Sequence, residues 1–257
     1  IVLPCDLLDA EKIQKALTGP LRGPVTVLPE CDSTNNVLRQ MAADGAPEGS
    51  IVLADQQTAG KGRMGRSFHS PDSSGVYMSI LLRPQFSLEQ LQLVTIMAAL
   101  SVSDALRETA GMRTEIKWVN DILYRGKKLC GILTEGNFDG ESGRLEYLVV
   151  GIGINVTGAL PAPLSDIATT VKAATERDIS RCALASAVAN MLGANYLRLH
   201  RDPAGILAQY KAQLCMLGQE ITVIAPSGSY RATAYDLSAD GGLMVRRADG
   251  VTETLRS

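Results

Sequence analysis

GKGRMGRSFHSPDSSG, residues 60–75, opens on a G-x-G-x-x-G string, and the residues after that string decide the fold. A dinucleotide-binding reading needs a helix that begins inside the motif, because the helix N-terminus holds the pyrophosphate. Ser67-Phe68-His69-Ser70-Pro71-Asp72-Ser73-Ser74-Gly75 cannot sustain one. The Walker phosphate loop fails too, since no Gly-Lys-Ser/Thr stands at the required spacing. Kinase signatures are decoys. His200-Arg201-Asp202 has Leu207 where an Asn is needed, and Phe138-Asp139-Gly140 precedes that triplet when it should come after it. The loop offers pliable backbone and three fixed cations, Lys61, Arg63 and Arg66. That suits either closure over an anion or a solvated basic surface loop.

Outward from the loop, residues 51–56 (IVLADQ) read as an apolar strand leading into it, and residues 75–82 as a strand ended by Pro84. Upstream, Asp9 caps a short helix over residues 9–17. VTVL is a strand, and Ser33-Thr34-Asn35 leads into a helix that stops at Gly45. Downstream, the spacing of Leu91, Val94, Met97 and Ala98 predicts the longest helix over residues 88–109. EIKWVND comes next, then a hairpin turning at Arg125-Gly126-Lys127, the strand LEYLVVGIGINV, and helices over 166–175, 179–200 and 203–214. Strand and helix do not alternate regularly, so the expected class is α+β, a mixed and largely antiparallel sheet with helices. Beyond Gly218 four short β-rich runs are separated by PSGS, SADGG and RADG turns, the pattern of a small antiparallel barrel. The expected organisation is an N-terminal linker and helix over 1–18, a main domain over 19–214 and a β-barrel over 215–257.

Composition narrows the function classes. Among 257 residues, 25 Lys+Arg against 27 Asp+Glu leave a charge of −2, without the basic excess of a nucleic-acid coat. The two histidines, His69 and His200, have no neighbours at metal-ligand spacing. Five cysteines with no CxxC pair argue against a disulfide framework and a structural zinc, and for reduced thiols in a cytoplasm. No membrane span is expected: residues 90–103 are too few and too rich in Gln, Thr and Ser. Asp6, Asp9 and Glu11 stand where a secretory signal would need basic and apolar residues.

In VVGIGINV, alternation puts Val150, Ile152, Ile154 and Val156 on a core face and leaves Gly151, Gly153 and Asn155 on the other. Two glycines on one face admit close approach, by a ligand or by a packed helix. Leu129, Gly131 and Leu133 make a similar slot for a flat apolar ring. Strict parity sets Lys128 opposite Gly131, so a β-bulge or a twist is required to bring that cation to the slot. Trp118, the only tryptophan, reads as core, bracketed by the polar Lys117, Asn120 and Asp121.

Together these segments resemble the biotin protein ligases. The carrying residues are Ser33-Thr34-Asn35, Gln57-Thr58-Ala59-Gly60-Lys61-Gly62-Arg63-Met64-Gly65-Arg66, Lys117-Trp118-Val119-Asn120-Asp121, Lys128-Leu129-Cys130-Gly131-Ile132-Leu133 and Gly151-Ile152-Gly153-Ile154-Asn155-Val156. The resemblance implies a catalytic domain like that of class II aminoacyl-tRNA synthetases, with an SH3-like C-terminal barrel. It implies two half-reactions: biotin and MgATP give biotinyl-5′-adenylate, and a lysine of a biotin carboxyl carrier protein then takes the biotinyl group. Residue by residue, it assigns Ser33, Thr34, Asn35 and Gln57 to the biotin ureido group and Lys61, Gly62 and Arg63 to the segment over the biotin tail. Lys128 falls at the biotin carboxylate, with Gly131 and Leu133 as walls. Arg63, Arg66, Phe68, Asn120, Asp121 and Asn155 fall on the nucleotide side. Lys128 and Arg63 are the catalytic candidates, and Asp121 the candidate Mg²⁺ ligand.

Departures from the family pattern are Phe68 for a common Trp, Lys61 for the usual Arg and Val119 for a common Pro. Leu3-Pro4-Cys5-Asp6-Leu7-Leu8-Asp9 resembles the junction after a winged-helix DNA-binding domain, so DNA is a partner only if such a domain precedes residue 1. A homodimer is left open, and Ser257 falls just before a final strand usual in the family. Two other readings stay open: a lipoate or octanoate ligase, and a biotin-sensing repressor core without turnover.

Overall fold

Helix α1 (Ala10–Ala16) starts where the Asp9 carboxylate accepts the Lys12 N–H at 3.0 Å. Strand β1 (Val25–Cys31), helix α2 (Thr34–Ala43), strand β2 (Ile51–Gln57) and strand β3 (Gly75–Leu82) succeed it. After α3 (Leu91–Ala110) come β4 (Glu115–Lys117), β5 (Asp121–Tyr124), β6 (Lys127–Phe138) and β7 (Leu145–Asn155). Helices α4 (Leu164–Ile167), α5 (Val171–Thr175), α6 (Arg181–Arg201) and α7 (Pro203–Gln213) lead to β8 (Glu220–Ala225), β9 (Gly228–Leu237), β10 (Leu243–Arg246) and β11 (Thr252–Leu255). This computed structural model describes residues 6–84, 90–225 and 228–256. The Leu3-Pro4-Cys5 part of the expected junction, Leu88, Pro226-Ser227 of the PSGS turn, and Ser257 lie outside the described residues.

Seven strands form one sheet in the order β1-β2-β3-β7-β6-β5-β4. β1 and β2 run parallel and every other neighbouring pair is antiparallel, so the sheet is mixed and largely antiparallel, as expected. Alternation sorts its faces. Val150, Ile152 and Ile154 point into the main core beneath α3 and α6. Val149 and Tyr147 point the other way, where α2 packs with Leu38 and Ala42. Arg125 (φ 49°) and Gly126 (φ 77°) make the two-residue turn joining β5 to β6, left-handed at both positions as a primed hairpin turn requires.

Two expectations are corrected. The longest helix is α6 with 21 residues, against 20 for α3, which begins at Leu91 and ends at the left-handed Gly111. Residues 166–175 are not one helix. The chain breaks at Ala168-Thr169-Thr170, where Ala168 bridges Lys128 and the Thr169 N–H donates to the Lys128 carbonyl at 2.9 Å. Thr170 then caps α5 by accepting the Ala173 N–H, which suits a hydroxyl residue better than a helix interior does.

The last four strands form a separate antiparallel sheet, β11-β10-β9-β8, over a small core of Val223, Ala232, Ala234, Leu243 and Val245. Trp118 joins it to the large sheet: its ring packs against both cores and its indole N–H donates to the Gly241 carbonyl at 3.0 Å. No helix among the described residues is long and apolar enough to cross a membrane.

Arg181, at the start of α6, is 1% exposed. Its guanidinium donates to the Asp6 carbonyl, to Asp55 Oδ1 at 2.8 Å and to the Gly75 carbonyl at 3.3 Å, tying the N-terminal segment to the ends of β2 and β3. Removing one member of a buried pair leaves the other without its counter-charge. Arg181→Leu is expected to lower unfolding free energy by about 3 kcal/mol. Urea denaturation checks this, and an unshifted midpoint would refute the clamp.

Candidate active site

The site begins as a bare patch on the sheet. Gly131 on β6 pairs with Gly153 on β7, and Leu133 pairs with Gly151, so three glycines and one leucine share a face. A Cβ on Gly153 would sit 2.5 Å from the Phe68 ring, and one on Gly151 would sit 2.2 Å from Asn35 Oδ1. Both glycines are therefore required by close neighbours. Asn35 stands against Gly151, and the Phe68 ring lies over Gly153 and Gly131.

The bulge required for Lys128 is present. Ile122 pairs with Cys130 and Leu123 with Lys128, which leaves Leu129 as the extra residue. The bulge turns Leu129 into the main core, so it does not wall the slot as the alternation predicts, and it puts Lys128 on the Gly131 face. Lys128 Nζ lies 2.7 Å from Asp121 Oδ1. Cys130 points away into the core, where burial pushes its thiol far up. The Cys31 thiol is pushed up to about 11, by burial first and by Asp32 and Glu30 after it.

α2 brings the next group. Ser33, Thr34 and Asn35, at its N-terminus, are each at most 3% exposed. Gln57 at the end of β2 accepts the Thr34 N–H at 2.9 Å, and its amide donates to Ser70 Oγ at 2.9 Å. The glycine-rich loop folds over this group as a narrow hairpin. Lys61 bridges Ser67, the Phe68 N–H donates to the Gly60 carbonyl, and a single 3-10 turn spans Arg63–Gly65 with Met64 left-handed at the tip. No α-helix succeeds the glycines, as expected. Arg63 donates to Asn120 Oδ1 at 3.2 Å, which fastens the loop to the sheet, and Asn120 is itself held by the Ile132 carbonyl at 2.8 Å. Burial pushes the Arg63 guanidinium below its ordinary value, with Asp121 acting in the opposite direction.

Ser33, Thr34, Asn35, Gln57, Lys61, Gly62, Arg63, Phe68, Asn120, Lys128, Gly131 and Leu133 thus line one cavity, together with Ile132, Gly151, Ile152 and Gly153. Its free space is about 50 Å³, well below ordinary ligand pockets, so the Phe68 ring must shift for a ligand to lie on the glycine patch. A second cavity of about 470 Å³ shares Arg63 and Leu133 with the first and reaches Asp240 and Arg256 near the small sheet. Three expected residues stand outside the first cavity's lining. Arg66 is exposed, Asp121 backs Lys128, and the Asn155 amide donates to the Thr169 carbonyl at 3.2 Å.

One oxygen of Asp121, the candidate Mg²⁺ ligand, is held by the Lys128 ammonium, and no group of three metal-binding side chains occurs among the described residues. Magnesium would arrive with phosphate oxygens, which is how this ion is commonly held. Two residues escaped the motif reading. Ser79, on fully buried β3, contacts both Thr34 and Asn35, and Glu135 accepts from Asn35 at 2.7 Å. Alternation along Gly131, Leu133, Glu135 carries a signal for Glu135. Nothing local marks Ser79.

Residues 27–155 match the Biotin/lipoate A/B protein ligase family, and residues 216–257 match the Biotin protein ligase C terminal domain. The chain is 34% identical over 225 residues to the Bifunctional ligase/repressor BirA of Bacillus subtilis, covering 85% of this chain and 68% of that one. It is 29% identical over 228 residues to the Biotin--[acetyl-CoA-carboxylase] ligase of Mycobacterium tuberculosis, covering 86% and 83%. Its fold is similar to that of the biotin protein ligase from Aquifex aeolicus in complex with biotin and ATP, with a TM-score of 0.79 and 29% identity over 91% of this chain and 95% of that one. With both matched regions in order on one chain and five motif segments meeting at one cavity, the chain belongs to the Biotin/lipoate A/B protein ligase family and, within it, to the biotin protein ligases.

Proposed function

We infer that the chain is an ATP-dependent ligase that activates biotin as biotinyl-5′-AMP and transfers the biotinyl group to a lysine of a biotin carboxyl carrier protein. The observation that carries this is the convergence of Ser33, Thr34, Asn35 and Gln57, buried and polar, with the cations Arg63 and Lys128 around one glycine-floored cavity. In the first half-reaction a biotin carboxylate oxygen attacks the α-phosphorus of MgATP and pyrophosphate leaves. In the second, the lysine amine attacks the acyl carbon, loses a proton, and AMP leaves.

Each step needs charge held in place and water kept out. Lys128 is our candidate for holding the biotin carboxylate; Asp121 keeps its ammonium aimed until that carboxylate arrives. Arg63, already fastened to Asn120, is placed to hold the phosphate that becomes part of the adenylate. Gly131 and Leu133 would wall the bicyclic ring, while Ser33, Thr34, Asn35 and Gln57 would meet its urea, with Lys61 and Gly62 over the tail. Phe68, once displaced from the glycines, is the candidate platform for adenine, and Arg66, Asn120 and Asn155 complete the nucleotide side. The shared cavity beyond Arg63 suits the triphosphate with its magnesium.

The same reading makes residues 19–214 a catalytic domain resembling the class II aminoacyl-tRNA synthetases, with 1–18 as linker and 215–257 as an SH3-like barrel. It places the reaction in the cytoplasm, in keeping with the free thiols of the described cysteines. It allows a homodimer, and brings in DNA only where a winged-helix domain precedes residue 1. A dithiolane or alkyl ligand has no urea to meet Ser33, Thr34, Asn35 and Gln57 at the cavity, so these polar residues would give it no specificity. An octanoyl-transfer route has no activated cysteine at Cys130.

Exchange of labelled pyrophosphate into ATP is expected to require biotin; exchange that lipoate supports and biotin does not would reject the reading, and no exchange despite biotin binding would favour a repressor core. Lys128→Ala is expected to slow adenylation about 100- to 1,000-fold through loss of charge stabilisation at the reacting carboxylate. A normal single-turnover rate would remove Lys128 from the chemistry. Arg63→Ala is expected to release the adenylate faster, because its phosphate contact is gone; dissociation at the wild-type rate would count against that role.

A further inference from the structure

Asn36 follows the buried Ser33-Thr34-Asn35 group on α2, and it lines a separate hollow with Arg39 and Tyr147 rather than the glycine-floored cavity. It is where the charge of Lys61 in the glycine-rich loop comes to rest. The Lys61 ammonium donates to Asn36 Oδ1 at 2.5 Å, and Asn36 Nδ2 donates to Asp32 Oδ2 at 2.5 Å. Both ends of this relay have fixed polarity. An ammonium only donates and a carboxylate only accepts, so an amide between them must show its carbonyl to Lys61 and its N–H₂ to Asp32. Asp32 is held in turn, since its other oxygen accepts the Ser33 N–H at 2.6 Å. The bond from Asn36, foremost, keeps the Asp32 carboxyl below its ordinary value. The Asp32 carbonyl also accepts the Ala59 N–H at 2.9 Å, so residue 32 ties down the root of the loop as well. Glu135 Oε1 lies 3.9 Å from the same ammonium, beyond hydrogen-bond reach, and is shared with Arg39 at 3.7 Å.

We propose that Asn36, aimed by Asp32, is a positioning residue that latches the glycine-rich loop to α2 through Lys61 and so slows escape of the activated intermediate. The inference rests on the biotin reading, and it gives the Lys61 charge a task apart from the ligand. A second side-chain fastening of the loop is Arg63 on Asn120. In the proposed reaction Arg63 turns to the phosphate, whereas Lys61 keeps a partner that belongs to the protein. The contact also suits a lysine. A single carbonyl oxygen gives a guanidinium fork nothing to grip twice, while an ammonium needs one acceptor in line. The Lys61 side chain is 37% exposed, so the effect of the latch is several-fold rather than a thousandfold.

The test is release of the adenylate. The full chain is loaded with radiolabelled biotinyl-5′-AMP and chased with unlabelled biotin and ATP. Asn36→Ala is expected to speed release about fivefold, as loss of one charge-assisted hydrogen bond at a partly exposed position would. Asp32→Asn keeps the side chain's size. Its oxygen would still accept the Ser33 N–H, its N–H₂ would claim the Asn36 carbonyl, and the Asn36 N–H₂ would turn against the ammonium; a similar acceleration is expected. Lys61→Ala is expected to release at least as fast, and Asn36→Ala to add nothing on that background. A residue that merely supported α2 would add its factor with or without Lys61. Release at the wild-type rate in Asn36→Ala or in Asp32→Asn, or full additivity with Lys61→Ala, overturns the latch. A wild type that forms no adenylate from biotin and ATP overturns the functional reading itself, which is a different result.

Discussion

Everything at the site depends on the pairing of Gly131 with Gly153 across two central strands. A sheet normally presents a side chain at every second position, and those side chains keep any flat ring about 5 Å or more from the backbone. Removing the Cβ at neighbouring positions on paired strands makes a shallow trough in the middle of an otherwise rigid sheet. The trough cannot deform, because Ile132 and Ile152 anchor the opposite face in the main core. A rigid floor lets binding energy go into alignment rather than into ordering the protein.

The other parts solve the problem of bringing charge to that floor. An alternating strand places Lys128 on the wrong side, and a single extra residue, Leu129, corrects the phase. The bulge serves both faces at once, since Leu129 fills core while Lys128 gains Asp121. The glycine-rich loop supplies the second cation from above. Its hairpin is held at the base by backbone bonds and near the tip by Arg63 on Asn120, while Met64 stays 81% exposed.

Much of this was legible in the sequence where the signal is local. The failed helix after Gly65 excluded the dinucleotide fold, Arg125-Gly126 announced a hairpin, and the parity of Gly131 with Lys128 demanded a bulge or a twist, of which the bulge is there. The polar residues of Ser33-Thr34-Asn35 and Gln57 also meet as their motifs implied. Long-range register was not legible. Ser79 sits in a strand buried on both faces and looks like any core position, and only the approach of α2 over β3 gives it partners. Asn155 shares a face with Gly151 and Gly153, yet the strand has left the cavity by the time it reaches that residue. The break at Ala168-Thr169-Thr170 depends on Lys128, some forty positions upstream, and a helical periodicity cannot register such a partner.

Trp118 has a practical consequence. It is the chain's sole indole, and it is wedged where the two sheets meet, with its N–H on Gly241. Two residues on, Asn120 carries the Arg63 contact of the flap. Fluorescence excited at the indole band therefore originates from a single place, the seam between the two sheets. The molecule carries its own optical gauge of whether the small sheet stays docked against the large one.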